Sequence, residues 1–220
     1  MKYYFIGDVH GKFFKLETYL EEIAIENEYE EDNYKIIQVG DLGIGFETIR
    51  EPDNFPDNFY FITGNHDDFD KAKTKYKNNC LPNYYFDEKY SIFYIRGAWS
   101  VDYKYRTIGK DWWESEELNY YELQDVIDFY LKVKPKIVVS HDSPFNSYVE
   151  IFKYFQDVRQ DFPKGSRTTQ SLQVMLNEHE PEIWIHGHHH KRLEYKLNNY
   201  NTLFYCLNEL DVLQIDLESK

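Results

Sequence analysis

Five short apolar runs punctuate the chain, and each stops at a residue able to bind a metal or handle a proton. "KYYFI" (2–6) runs into Gly7-Asp8, "YKIIQVG" (34–40) into Asp41, and "NFYFITG" (58–64) into Asn65-His66. "KIVVS" (136–140) runs into His141, and "EIWIHG" (182–187) into His188. Near-continuous apolar runs of this length predict strands buried on both faces. Between them the spacing changes to that of helices. Phe13, Leu16, Leu20 and Ile23 predict a helix over 12–28, and Leu118, Leu123, Ile127, Tyr130 and Leu131 predict another over 115–132. Ser115 is the expected cap of the latter, and a further helix is expected over 168–179. Alternating patterns closed by turns such as "NNYN" predict short extra strands around 84–101 and 192–217.

This alternation predicts two packed sheets flanked by helices. No internal repeat, low-complexity tract or Pro/Gly/Ser-rich linker interrupts it, so residues 1–220 are expected to form a single domain. In open α/β sheets, sites form at the carboxyl ends of strands. The five polar strand ends therefore predict one shared site.

Composition narrows the function classes. A chain of 220 residues is long enough to bury a substantial core. No apolar stretch approaches the ~18 residues of a membrane span. The opening "MKYYFIGDVHGK" lacks a signal-peptide layout. Cys80 and Cys206 are far apart and form no metal or disulfide spacing, so the expected compartment is the cytoplasm. The net charge of −14 disfavours long nucleic acid and anionic membrane as partners. It does not exclude a small phosphoester, because bound divalent cations make a local positive centre.

Singly, the polar motifs are weak. Asp8 and His10 in "GDVHG" and Asp41 in "GDLG" read equally well as turn chemistry, and Asn65 in "GNHDD" as a helix cap. Together, Asp8, His10, Asp41, Asn65, His141, His188 and His190 form an oxygen/nitrogen donor set without thiolate. Such a set suits Mn, Fe, Zn, Ni or Mg better than a structural zinc. Seven donors exceed one ion's needs and fit two ions sharing a carboxylate.

"GDVHG", "GDLG", "GNHD", "SHD" and "GHHH" stand in the order and near the spacings of the calcineurin-like metallophosphoesterases, which the chain resembles from Asp8 to its final hairpin. The resemblance implies an α/β fold, a four-layer αββα sandwich of two mixed β-sheets flanked by helices. It implies two divalent ions, with manganese the first expectation. Asp8, His10 and His190 would hold one ion, Asn65, His141 and His188 the other, and Asp41 would bridge them. His66 would act beside the substrate as leaving-group acid or phosphoryl stabiliser, with Asp67 orienting its ring. Metal-bound hydroxide would be the nucleophile. Strand alternation turns His189 away from the site. His186 is left open between buried support and a place at the substrate's edge.

The similar serine/threonine phosphatases carry Gly-Asp-x-x-Asp-Arg-Gly and Arg-Gly-Asn-His-Glu blocks. Here residues 42–45 contain no arginine, and Thr63 stands before Gly64. Loss of two bidentate clamps favours a phosphodiester of a nucleotide or nucleic-acid-related molecule over a phosphomonoester. Arg106, in the irregular stretch 94–113, and Arg167, at a helix entrance in "PKGSRTTQ" (163–170), are the candidates for phosphate contact. The rivals are a phosphomonoester or phosphoprotein phosphatase and, from another class, a catalytically inactive binding or scaffold module.

Overall fold

The computed structural model describes residues 1–153 and 165–218; Pro163 and Lys164 of the "PKGSRTTQ" stretch lie outside them. The strands are β1 (Lys2–Ile6), β2 (Tyr34–Gln38), β3 (Phe59–Phe61), β4 (Tyr84–Asp87), β5 (Ile92–Ile95), β6 (Ile137–Ser140), β7 (Ile183–His186), β8 (Leu193–Lys196), β9 (Leu203–Cys206) and β10 (Val212–Asp216). They form a four-stranded sheet of order β10-β1-β2-β3 and a six-stranded sheet of order β4-β5-β6-β7-β9-β8. Both sheets are mixed. β1, β2 and β3 run parallel with β10 antiparallel at the edge, and β5, β6, β7 and β9 run parallel between antiparallel β4 and β8.

Strand alternation divides the side chains among three apolar layers. Tyr3 and Phe5 of β1 pack toward Ile92, Tyr94, Ile137, Val139 and Ile185 of the larger sheet. Tyr4 and Ile6 face the other way, onto Leu16, Leu20 and Ile23 of helix α1 (Phe13–Glu26) and Phe69 and Ala72 of α2 (Phe69–Lys75). Phe93 and Val138 of the larger sheet meet Leu123, Val126 and Tyr130 of α3 (Tyr120–Val133) and Leu172, Met175 and Leu176 of α5 (Arg167–Glu178). The result is the expected αββα sandwich. Both faces of each central strand are buried, which is why these strands read as unbroken apolar runs.

Three differences from the sequence expectation are local. The long helix starts at Tyr120 rather than 115, with residues Glu114–Glu116 as a separate 3-10 turn. Its cap is Asn119, whose Oδ1 accepts from the amides of Tyr121 and Glu122 while Glu122 Oε2 accepts from the Asn119 amide. That reciprocal box satisfies more of the free first-turn amides than Ser115 does. Two short helices, α2 and α4 (Phe145–Phe152), were not anticipated. Among the described residues, no helix is long and apolar enough to cross a membrane.

Candidate metal centre

The carboxyl ends of β1, β2 and β3 in one sheet, and of β6 and β7 in the other, open onto a single place. Asp41 is its middle. Its Oδ2 lies 3.9 Å from His10 Nε2, and its Oδ1 lies 3.2 Å from His141 Nε2. On the Oδ2 side, Asp8, His10, Asp41 and His190 offer ligand atoms within 4.8 Å of one another. On the Oδ1 side, Asp41, His141 and His188 do the same. Asn65 joins the second group, its Oδ1 3.3 Å from His141 Nε2.

Local backbone explains how residues so near in sequence converge. His10, Asp41, His188 and His190 all have positive φ, between 48° and 67°. Each non-glycine residue held there costs about 1–3 kcal/mol, a penalty that clusters at functional sites. β7 ends at His186, so His188 and His190 reach the site through left-handed turns rather than by strand alternation. Close approach does the rest. A Cβ on Gly64 would sit 2.2 Å from Asp41 Oδ1, and one on Gly187 would sit 2.3 Å from Asp8 Oδ1.

The donor set fits cations. Asp8 Oδ1 accepts from the His188 amide, but Asp8 Oδ2 is fully buried and makes no hydrogen bond, although His190 Nε2 is 3.0 Å away. Leaving a buried carboxylate oxygen so costs energy unless a cation completes it. His10 Nε2 and His190 Nε2 face each other at 3.0 Å. Two imidazole nitrogens brought this close could direct their lone pairs at one cation. His141 Nδ1 lies 2.9 Å from the Val39 carbonyl and donates to it, which turns Nε2 toward Asp41 and Asn65 as the ligand atom.

Electrostatics agree with that reading. Burial works to raise Asp8, but His10 and His190 hold its carboxyl down at about 2. Burial works to lower His141, but Asp41 pulls it up to about 10. The carboxylates thus hold positive charge where a cation would sit. Burial, helped by His141, takes His188 down to about 3, leaving one ring nitrogen with a lone pair to offer.

His66 stands at the open side. Its amide donates to Asp41 Oδ1 at 2.7 Å, and its ring lies 4.9 Å from that of His10. The Arg106 guanidinium closes on it, with Nη2 3.0 Å from Nε2 and Nη1 3.3 Å from Nδ1. Only one of these contacts can be a hydrogen bond, since neutral imidazole has one acceptor nitrogen. Arg106 is itself held by Asp102 at 2.8 Å and the Asp111 carbonyl at 3.2 Å.

Two expected roles change. Asp67 does not orient the His66 ring. Its buried carboxylate accepts from the amides of Leu42, Gly43, Ile44 and Gly64, at 2.7–3.1 Å, and so ties the Asp41 loop to the Asn65 loop. Arg167 faces Glu117 at 3.4 Å and packs over Tyr120, which accounts for it as a helix-entrance ion pair rather than a phosphate ligand. His189 does turn away from the site, with Nε2 3.0 Å from Ser143 Oγ. The open question of His186 resolves to buried support, with Nε2 3.0 Å from Tyr195 OH. Sequence reasoning missed Ser100 and Glu116, which stand behind Asn65; a buried glutamate inside the acidic stretch "ESEE" gave no periodic signal.

Comparisons with known proteins bear on these observations. No curated protein matches the chain. Among solved structures, it is similar to a Staphylococcus aureus protein described as a 5'-nucleotidase in complex with alpha-ketoglutarate, with 14% identity, a TM-score of 0.51, and coverage of 100% of this chain and 52% of that one. It is also similar to a Thermus thermophilus sulfate thiohydrolase, SoxB, in complex with glycerol, at 10% identity and a TM-score of 0.48, over 98% of this chain and 41% of that one. The chain thus spans about half the length of these structures or less, and the first likeness concerns the fold alone. The calcineurin-like phosphoesterase family matches over residues 1–192. With that match over most of its length, the chain belongs to the calcineurin-like phosphoesterase family.

Proposed function

We propose that the protein is a dinuclear phosphoesterase that hydrolyses a small phosphodiester of a nucleotide or nucleic-acid-related molecule. The observation that carries this reading is the division of Asp41, one oxygen facing each of two donor groups. Asp8, His10 and His190 would hold the first divalent ion, Asn65, His141 and His188 the second, and Asp41 lies between the two groups. Two ions so held would supply Lewis-acid charge to the phosphoryl oxygens and make hydroxide available near neutral pH. Manganese is the first ion to test, since the donor set also accepts Fe, Zn, Ni and Mg.

In the reaction a water oxygen forms the new bond to phosphorus, the ester P–O bond breaks, and the departing oxygen takes a proton. His66, on the open side, is the candidate donor there, through whichever ring nitrogen does not accept from Arg106. Asp67 keeps Asp41 and Asn65 in register by holding both of their loops.

Preference for a diester rests on the missing arginines at 42–45 and at Thr63. One observation favours a monoester instead: Arg106 brings a guanidinium to the same place from a different loop. Hydrolysis of a chromogenic phosphodiester beside the matching monoester, with Mn²⁺, separates the two. Diester turnover that disappears in Asp41→Asn is the expected result. Monoester turnover alone, lost in Arg106→Ala, would overturn the diester reading.

A further inference from the structure

Behind Asn65 runs a chain of buried polar groups that reaches no solvent. Asn65, Ser100 and Glu116 are 3%, 2% and 3% exposed. Asn65 Nδ2 donates to Ser100 Oγ at 3.1 Å, and Ser100 Oγ lies 2.6 Å from Glu116 Oε2. The second carboxylate oxygen, Glu116 Oε1, accepts from the Ser100 amide at 3.0 Å. The glutamate is fixed by its own backbone as well. The Ala98 amide donates to the Glu116 carbonyl at 3.3 Å, and a Cβ on Gly97 would come within 2.7 Å of that carbonyl oxygen.

Proton inventory gives the chain a direction. A carboxylate only accepts, so the single hydroxyl proton of Ser100 goes to Glu116. Ser100 Oγ then has only lone pairs to offer Asn65 and must face an amide donor. Asn65 therefore turns its NH₂ to Ser100 and its carbonyl oxygen to the site, beside His141 Nε2. Without this arrangement the two ends of the amide are almost the same shape, and the flipped form would aim N–H at the cation.

We propose that Ser100 and Glu116 are positioning residues that lock the Asn65 amide with Oδ1 toward the second metal. The inference rests on the two-ion reading above. Burial raises the Glu116 pKa, and the two Ser100 donors oppose that rise. Glu116→Gln bears directly on the point. Its amide would donate to Ser100 Oγ, release the hydroxyl proton toward Asn65, and favour the flipped form.

The test titrates Mn²⁺ into metal-free protein by calorimetry and counts bound ions per chain by elemental analysis. Circular dichroism confirms that each variant folds. Wild type should bind two ions. Ser100→Ala and Glu116→Gln should weaken one of the two by about 10–100-fold, as loss of a ligand's supporting partner typically does, and leave the other unchanged. Ser100→Thr, which keeps the hydroxyl, should restore that affinity. In an Asn65→Ala background Ser100→Ala should add nothing further, because its effect passes through Asn65. Unchanged affinity for both ions in Ser100→Ala and Glu116→Gln, or a loss that adds in full to that of Asn65→Ala, would overturn the inference. Should Ser100→Ala not fold, Glu116→Gln, which differs in one group, decides the matter alone. Wild-type protein that binds fewer than two ions would instead overturn the two-ion reading, and the inference with it.

Discussion

Gly64 is where the space around Asp41 is tightest, because its missing side chain is what lets Asp41 and His141 approach. A methyl there would meet Asp41 Oδ1 at 2.2 Å and His141 Nε2 at 2.5 Å. Gly64→Ala is therefore expected to leave the sandwich folded but lower Mn²⁺ affinity by tenfold or more, read by calorimetry on the metal-free protein; unchanged affinity would show that the loop yields freely. Asp67→Asn is of similar size but sets an NH₂ group against backbone amides that now donate to a carboxylate. It should cost about 1–3 kcal/mol in a denaturant titration. Residue identity was legible at the site because five apolar runs each end in a donor. Residue direction was not. Asp67 follows His66 in sequence, yet the turn sends its carboxylate back toward the residue 42–44 amides. His188 and His190 arrive by left-handed turns that alternation cannot foresee.

At the scale of elements, two contacts outside the centre set the geometry of its frame. Asn119 caps α3, and Asn119→Ala should destabilise by about 1 kcal/mol, whereas Ser115→Ala should stay within about 0.5 kcal/mol. A thermal or urea melt of the two variants checks this, and equal losses would return the cap to Ser115. Glu51 joins the loop after β2 to α2, accepting from the Gly45 amide at 2.8 Å, Lys71 at 2.7 Å and Lys75 at 3.0 Å. Burial works to raise its pKa, but these donors outweigh it and lower it. Its folded pKa is thus below the unfolded one, so its stabilisation is present above pH ~4.5 and is lost as pH falls through the folded value. Glu51→Gln should flatten the acid side of the stability–pH curve; an unchanged acid limb would remove Glu51 from it. The strands were legible as elements, since burial on both faces leaves a continuous apolar run. The seven-residue α2 and eight-residue α4 were not, because each spans barely two turns and follows directly on a site loop.

For the whole molecule, the centre joins the two sheets. Asp8, Asp41 and Asn65 follow strands of the smaller sheet, and His141, His188 and His190 follow strands of the larger one. Removing metal with a chelator should lower the melting temperature. Mn²⁺ at 100 times its Kd should restore about 2.7 kcal/mol per site, with a midpoint that moves with ion concentration. A midpoint indifferent to Mn²⁺ would mean that the ions do not join the sheets. The same layout has a consequence for how the protein is made. Contacts between Asp8 and His190 span 182 residues, so the donors meet only after nearly all of the described chain has left the ribosome. A shorter nascent chain holds Asp8, His10, Asp41 and Asn65 without the later histidines, and such a partial set offers a cation little. Metal capture then waits until residue 190 has emerged, and a nascent chain stalled before residue 188 should retain no ion.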